Sequence, residues 1–196
     1  ASHISTSASV EAIASAKNSG LNVTCDTSPP YFSLNELAVG DYRTFAKLSP
    51  PLRQEEDRKA IIEGLCNGTI DCIASDHVPQ DQDSKRLPFE QAEFGAVGLE
   101  TLLQLTLELR HNGYLNLSNV LSHITYKPAD LLGLPVGRLN IGGPADLVVF
   151  APDRPTRIEP STFSSKSKNS PFDGRLVQGQ VLLTVVDGRT VFSSAI

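Results

Sequence analysis

The fold is decided by residues 69–79, which read TIDCIASDHVP. The centre of this stretch is apolar on both alternating faces and is interrupted only by Asp71, as in a strand buried on both sides within a parallel sheet. Asp76 follows the predicted strand directly. Functional groups of parallel α/β barrels lie at the carboxyl ends of the strands, so Asp76 is a candidate catalytic or metal-binding residue.

Short apolar strands and amphipathic helices alternate around this stretch up to about residue 133. A helix is predicted over residues 8–18, a strand over 21–25, and a further helix opened by the acidic residues 55–57. Two more helices are predicted over 99–110 and 118–132, the second interrupted near Pro128. This order indicates an α/β fold in which helices cover a parallel sheet.

The composition of the sequence changes near residue 136, where Gly, Pro and Val become frequent. Strands are predicted over 146–150, 181–186 and 190–192, and the pair Asp187-Gly188 predicts a tight hairpin between the last two. Residues 161–170 are rich in Ser and Lys and are interpreted as a solvated loop. We therefore divide the chain into residues 1–135, with barrel-like alternation, and residues 136–196, a small β module.

Composition excludes several classes of protein. A net charge of -5 without a basic cluster argues against a nucleic-acid partner. The sequence contains neither an apolar run long enough to span a bilayer nor a signal-like start, so we expect a cytoplasmic protein that does not bind membranes. Cys25, Cys66 and Cys72 lack CxxC spacing and are expected to be buried free thiols.

Several motifs occur together in a fixed order along the chain. Residues 3–6 read HIST, 50–53 PPLR, 71–77 DCIASDH and 94–101 FGAVGLET, followed by GPADLVVF at 143–150 and KNSPF at 168–172. Together they resemble the dihydroorotase family of cyclic amidohydrolases over essentially the whole chain. The resemblance implies the C-terminal part of a TIM-barrel metallo-amidohydrolase, namely the last barrel strands and helices, plus a small β module.

The resemblance also implies a metal site. His3 and Asp76 match two ligands of a binuclear zinc centre, and Asp76 also matches the residue that exchanges protons during catalysis. Imidazole and carboxylate are suitable zinc ligands, and zinc polarises an amide and activates water. His77 is interpreted as a supporting residue, because adjacent side chains after a strand point in different directions.

Other ligands of the family pattern are not found in this sequence. They are an early His-x-His pair, a carboxylated Lys and a further His that precedes the position of His3. We therefore expect the missing amino-terminal half of the same enzyme as a partner, and we expect the chain alone to be inactive and to form homo-oligomers.

Substrate contacts are implied at Ser49, Gln80, Phe94 and Gly95. Ser49 stands where the family pattern has Asn, and Gln80 stands where it has a second His. Residues 28–31, which read SPPY, replace the usual Thr-Pro-His-His. A glutamine cannot carry the positive charge of a protonated histidine, so these departures bear on substrate specificity.

Three functions remain open from the sequence. The first is reversible hydrolysis of dihydroorotate to N-carbamoyl-aspartate in pyrimidine biosynthesis. The second is a related hydantoinase or allantoinase activity, and the third is a non-catalytic, dihydroorotase-like partner of aspartate transcarbamoylase. The presence of both His3 and Asp76 favours catalysis, because a scaffold has no chemical need for either side chain.

Overall fold

The chain forms two compact units in a computed structural model that describes residues 1–194. The first unit comprises Ala1–Leu102 and Ile158–Arg175, and the second comprises Leu103–Arg157 and the chain from Leu176 onward. Residues 158–175 thus belong to the compact unit that contains His3 and Asp76. The predicted division of the chain into residues 1–135 and 136–196 stays a prediction.

A pair of parallel strands organises the first unit. Its described elements are α1 (Ser7–Asn18), β1 (Asp26–Thr27), α2 (Pro29–Ser33), α3 (Glu55–Asn67), β2 (Cys72–Ile73) and α4 (Gln82–Arg86), with 3₁₀ turns at Glu36–Val39, Thr44–Ala46 and Pro160–Thr162. Asp26 pairs with Cys72 and Thr27 with Ile73. The helices predicted to start near residues 8 and 55 are confirmed, as is the parallel arrangement.

Helix α3 lies close against the strand region because of its sequence. Ile61, Leu65 and Ile70 are almost fully buried. Gly64 faces Ile70 so closely that a Cβ atom there would lie 3.0 Å from the Ile70 Cδ1 atom. The helix then ends at Gly68, whose φ of 81° is a left-handed conformation that glycine adopts without steric cost. Helix α3 therefore packs closely against Ile70, which precedes β2.

The second unit contains an antiparallel sheet and short helices. Its described elements are α5 (Leu102–His111, whose first residue is the last of the segment Ala1–Leu102), α6 (Leu117–Ser122), α7 (Tyr126–Leu131), β3 (Leu147–Arg157), β4 (Leu176–Val186) and β5 (Arg189–Ser193). The strand order is β3-β4-β5. Asp187 and Gly188 have φ of 49° and 71°, as the predicted hairpin turn requires, so that prediction is confirmed.

The break in the predicted helix 118–132 lies at residues 123–125 and not at Pro128. Pro128 instead occupies the first turn of α7. A helix needs no N–H donor in its first turn, so proline is tolerated there. The prediction of an interruption was right, and its position was wrong.

Three sequence predictions need correction. Residues 21–25 form no described strand, and ladder pairing covers only Asp26–Thr27. The loop 161–170 is not solvated throughout, since Asn169 and Ser170 are buried at 3% and 0% exposure. Asn169 is buried because its amide satisfies backbone groups far away in sequence. Cys66 is exposed near the end of α3, whereas Cys25 and Cys72 are buried, and all three are free thiols.

Within residues 1–194, no helix combines the length and apolar character needed to cross a membrane.

Candidate active site

The backbone beside β1 positions the His3 side chain. Asp26 holds this segment from both its backbone and its side chain: its carbonyl accepts from the Ile4 N–H at 2.9 Å, and its carboxylate accepts from the His3 N–H at 2.8 Å. His3 has a φ of 53°, a left-handed conformation that costs energy for a non-glycine residue. The Asp26 carboxylate therefore stabilises the conformation that directs the imidazole.

Asp76 meets His3 at the end of β2. Its backbone is also left-handed, with φ of 46°, and its Oδ1 atom lies 3.6 Å from His3 Nε2. The His3 side chain is 29% exposed and the Asp76 side chain is 13% exposed, so solvent reaches the pair only in part. The backbone bond from Ile4 to Asp26 and the parallel pairing of β1 with β2 together bring His3 and Asp76, which lie 73 positions apart in the sequence, close to each other.

The surroundings of Asp76 favour its protonated form more than water does. Burial raises the pKa of its carboxyl group above the usual range, the charge of His3 opposes this shift, and the nearby Asp26 carboxylate adds to it. Burial, with a smaller contribution from the Asp76 charge, likewise raises the pKa of the Tyr31 hydroxyl. A carboxyl group with a raised pKa is suited to accept and return a proton.

The two nitrogen atoms of His3 have different neighbours. Nε2 faces Asp76, whereas Nδ1 is buried, lies 3.2 Å from Asp26 Oδ1 and makes no hydrogen bond. Histidines that bind metals through one nitrogen direct the other toward a carboxylate in many proteins. This arrangement fits a ligand role for His3 through Nε2.

A complete metal site is not formed by the residues that the structure describes. Among them, no group of three or more His, Cys, Asp or Glu side chains is placed to hold an ion. His3 and Asp76 nevertheless supply an imidazole nitrogen and a carboxylate oxygen, which are both donors that zinc accepts. The donor set fits two ligands of a metal centre.

Three of the four residues predicted to contact substrate lie together. The Gln80 side chain donates from Nε2 to the Phe94 carbonyl at 2.9 Å, which links it to the segment containing Gly95. Phe94 is 49% exposed, and Lys47 Nζ lies 4.5 Å from its ring centroid. Gly95 is buried with φ of 116°, and a Cβ atom there would approach Val78 to 2.5 Å. Only glycine fits this position.

Ser49 lies on a separate loop that is tied to the site through Tyr31. Ser49 is exposed and precedes a cis bond to Pro50. Tyr31 is buried and donates its hydroxyl to the Pro50 carbonyl at 2.9 Å. A narrow cavity lined by Leu48, Pro30 and Asp76 lies beside this loop. The tyrosine in the SPPY segment therefore supports the loop that carries Ser49.

His77 supports the backbone that follows Gly95. Its Nδ1 atom accepts from the N–H groups of Gly98 at 3.1 Å and Leu99 at 3.4 Å. An isolated parallel bridge also joins His77 to Ala96. These contacts agree with the supporting role predicted for it.

Sequence reasoning missed Asp26 and Asn169. Asp26 follows the predicted strand 21–25 as Asp76 follows its predicted strand, and that repeated pattern was a usable signal. Asn169 donates from Nδ2 to the carbonyls of Val78 at 3.2 Å and Gly95 at 3.1 Å, and its Oδ1 accepts from the Gln80 N–H at 3.2 Å. The KNSPF motif contains Asn169 but does not by itself reveal these partners.

Solved hydantoinases share this fold. An L-hydantoinase (dihydropyrimidinase) from Arthrobacter aurescens superposes with a TM-score of 0.93 at 33% identity, covering 100% of this chain and 45% of that protein. A dihydropyrimidinase from Brevibacillus agri superposes with a TM-score of 0.92 at 27% identity, covering 98% and 44%. The fold is that of part of a TIM-barrel amidohydrolase together with a small antiparallel sheet.

Curated relatives with higher identity are dihydroorotases. That of Wolbachia sp. subsp. Drosophila simulans is 52% identical over 97% of this chain, and that of Desulforapulum autotrophicum is 50% identical over 99%. The chain spans 43% and 45% of the length of these two relatives. The model of the Amidohydrolase family matches residues 3–191. With this match over nearly its whole length, the chain belongs to the amidohydrolase family.

Proposed function

We propose that this chain carries part of the active site of a dihydroorotase, which interconverts dihydroorotate and N-carbamoyl-aspartate in pyrimidine biosynthesis. The observation that carries the proposal is the approach of His3 Nε2 to Asp76 Oδ1 at 3.6 Å, where His3 lies beside β1 and Asp76 follows β2. Identity of about 50% to dihydroorotases supports this substrate over others.

Asp76 has the properties of the proton-exchanging residue. As water attacks the ring carbonyl carbon of dihydroorotate, the Asp76 carboxylate accepts the proton that water loses. The same proton then passes to the ring nitrogen as the carbon–nitrogen bond breaks, which regenerates the carboxylate. Partial burial of Asp76 supports this cycle, because it brings the affinity of the carboxylate for the proton closer to that of the reacting groups.

We assign zinc as the metal, with His3 and Asp76 as two of its ligands. Bound zinc supplies polarisation of the amide and activation of water. The remaining ligands belong, in this proposal, to sequence that the longer relatives have outside the matched region. The Asp26 carboxylate holds the backbone of His3 and thereby fixes the direction of the imidazole.

Substrate binding is assigned to the surface formed by Gln80, Phe94 and Gly95, and to Ser49 on its separate loop. The Gln80 side-chain amide donates a hydrogen bond to the Phe94 carbonyl and so connects two parts of this surface. A small carboxylated ring is the substrate class that we propose. We also retain a homo-oligomer as the assembly and aspartate transcarbamoylase as a candidate partner.

A hydantoinase or dihydropyrimidinase activity is the second candidate, and the solved structures favour it. Proteins so described superpose with TM-scores of 0.92 and 0.93. Their identity of 27% and 33% is well below that of the dihydroorotases, which is why we rank this candidate second.

The test measures turnover in the active enzyme that contains this chain. Dihydroorotate, dihydrouracil, hydantoin and allantoin are compared as substrates, with Asp76→Asn as the inactive control and zinc content measured for both proteins. We expect kcat/KM for dihydroorotate to exceed the others by at least about a hundredfold, because a site built for a polar group rejects analogues lacking it. A preference for hydantoin or dihydrouracil establishes the second candidate, and a metal-loaded enzyme inactive on all four supports a scaffold.

A further inference from the structure

The proposed substrate surface includes a junction between two segments of the chain. Two segments meet there, residues 77–80 and 94–97, and the Val78 N–H donates to the Ala96 carbonyl at 2.8 Å. Asn169 inserts from the loop that follows the 3₁₀ turn Pro160–Thr162. Among the described hydrogen bonds, the Asn169 side chain is the one group outside these two segments that bonds to both of them.

Asn169 makes contacts that use both ends of its side-chain amide. Its Nδ2 donates to the carbonyls of Val78 and Gly95, at 3.2 Å and 3.1 Å. Its Oδ1 accepts from the Gln80 N–H at 3.2 Å. Its own carbonyl accepts from the Val97 N–H at 3.1 Å. The three side-chain bonds satisfy both donors and the acceptor of the amide, so its orientation is fixed.

The burial of Asn169 makes these bonds difficult to replace. The residue is 3% exposed, and Gly95 and Val97 beside it are also buried. A buried carbonyl that loses its donor retains the full cost of removal from water. Removal of the side chain therefore forces the two segments to rearrange, and Gln80, Phe94 and Gly95 move with them.

From this geometry we infer that Asn169 is a positioning residue, which sets the spacing between Gln80 and the Phe94–Gly95 segment and thereby controls substrate affinity. The inference rests on the proposed function, because it takes those residues as the substrate surface. Asn169 makes no described hydrogen bond to His3 or Asp76, so its effect is on substrate binding and not on metal binding or proton transfer.

The test uses Asn169→Ala and Asn169→Asp in the active enzyme that contains this chain. For Asn169→Ala we expect KM to rise about tenfold, equivalent to about 1.4 kcal/mol, with kcat within threefold and zinc content unchanged. Asn169→Asp keeps the acceptor for Gln80 but loses both donated bonds. We expect KM to rise in this variant too. The backbone N–H of Gln80 is expected to remain protected from hydrogen exchange, because its acceptor is kept.

Asn116→Ala serves as the matched control. It removes a comparable side-chain bond, from the Asn119 N–H to Asn116 Oδ1 at 2.9 Å, at the start of α6 in the second unit. We expect this control to lower Tm without changing KM. A KM for Asn169→Ala equal to that of the control, or kcat falling with KM unchanged, overturns the inference.

The outcomes also separate this inference from the proposed function. KM is measured for each of dihydroorotate, dihydrouracil, hydantoin and allantoin that the unmodified enzyme hydrolyses. The inference can therefore be tested even if the enzyme does not hydrolyse dihydroorotate. If none is hydrolysed, hydrogen exchange decides. The Gln80 amide must then exchange faster in Asn169→Ala than in Asn169→Asp, and equal rates contradict the positioning role.

Discussion

At the scale of single residues, Asp26 carries the first prediction. Its carboxylate accepts a hydrogen bond from the His3 N–H at 2.8 Å. Without this carboxylate, His3 loses a contact that stabilises its left-handed backbone conformation. We expect Asp26→Ala to reduce zinc affinity or turnover by about tenfold to a hundredfold, the usual cost of losing a carboxylate that orients a ligand. Zinc titration and turnover of the active enzyme provide the measurement.

Asp41→Ala is the control for this prediction, because Asp41 is an exposed aspartate in the same unit. Its replacement removes the same charge without touching His3. Equal zinc affinity in the two variants shows that Asp26 does not orient the imidazole.

The sequence singled out His3 and Asp76 as candidates but did not reveal the residues that contact and position them. Asp76 follows a strongly apolar strand, and family motifs surround both residues. The partners of Asn169 lie 74 to 91 positions away and are mostly backbone carbonyls, which leave no signature in residue type. The Ser- and Lys-rich neighbourhood of Asn169 instead suggested a solvated loop, because composition reports the average environment of a segment and not that of one side chain.

At the scale of elements, the start of α3 carries a prediction that depends on pH. Hydrogen bonds from Arg58 and Asn35 lower the pKa of the Glu55 carboxyl to about 2. A lowered pKa means that Glu55 stabilises the fold above its ordinary pKa of 4.5, and that this contribution is lost as the pH falls toward 2. We expect Glu55→Gln to reduce the free energy of unfolding by about 0.5 kcal/mol near neutral pH, since the pair is partly exposed.

Denaturant titrations at several pH values check the Glu55 prediction. Glu56→Gln is the control, because Glu56 is exposed in the same first turn. Its substitution removes the same charge from the helix N-terminus. The difference between the two variants is expected to shrink between pH 4.5 and pH 2. A difference that stays constant over this range assigns the effect to something other than the Glu55 charge.

The turn that contains Gly98 provides a second prediction for an element. A Cβ atom at Gly98 would lie 2.0 Å from the Ser75 carbonyl oxygen, a backbone atom that cannot rotate away. Gly98→Ala therefore displaces residues 75 and 76, and with them the Asp76 carboxylate. We expect turnover to fall about a hundredfold, as displacements near 1 Å at a reacting group can cause.

Gly64→Ala is the comparison for the Gly98 variant. The nearest atoms to a Cβ there belong to the Ile70 and Val10 side chains, which can adjust. Turnover and Tm are measured for both variants. If Gly98→Ala retains turnover similar to that of Gly64→Ala, the close approach to Ser75 does not determine where Asp76 lies.

Elements with strong local signals were predicted well. The hairpin at Asp187-Gly188 follows from a turn that needs left-handed residues, and α3 follows from its acidic start and apolar face. The ends of β1 could not be predicted, because ladder pairing depends on the neighbouring strand and covers only two residues, Asp26–Thr27. Residues 21–25 have strand-like composition, but the described ladder does not include them, although the Cys25 carbonyl accepts a hydrogen bond from the Asp71 N–H at 3.0 Å.

At the scale of the whole molecule, the proposed ligand set predicts the behaviour of this 196-residue chain by itself. Only His3 and Asp76 match family ligands, and zinc sites in proteins normally use three or four. Apolar side chains such as Leu132, at 70% exposure, and Leu139, at 79%, are also accessible in the chain. We expect weak zinc binding and self-association, because exposed apolar surface favours contact between copies.

Elemental analysis after dialysis, combined with light scattering, measures both properties. Leu139→Lys is a useful variant, since it changes an exposed side chain of the second unit and leaves the first unit intact. We expect this variant to self-associate less while its zinc binding stays weak. A monomeric chain that retains two equivalents of zinc contradicts the proposed ligand set.

Residues 158–175 belong to the first unit although they follow most of the second unit in the sequence. Neither evolution nor engineering can therefore exchange one unit for another by a single junction in the chain. Truncation after Arg157 removes Asn169 as well as β4 and β5, so it cannot isolate the first unit. A shortened protein has to connect Leu102 to Ile158 by a designed linker and end near Arg175. The segment Leu103–Arg157 therefore behaves topologically as an insertion within the first unit, and replacing it requires two simultaneous junctions.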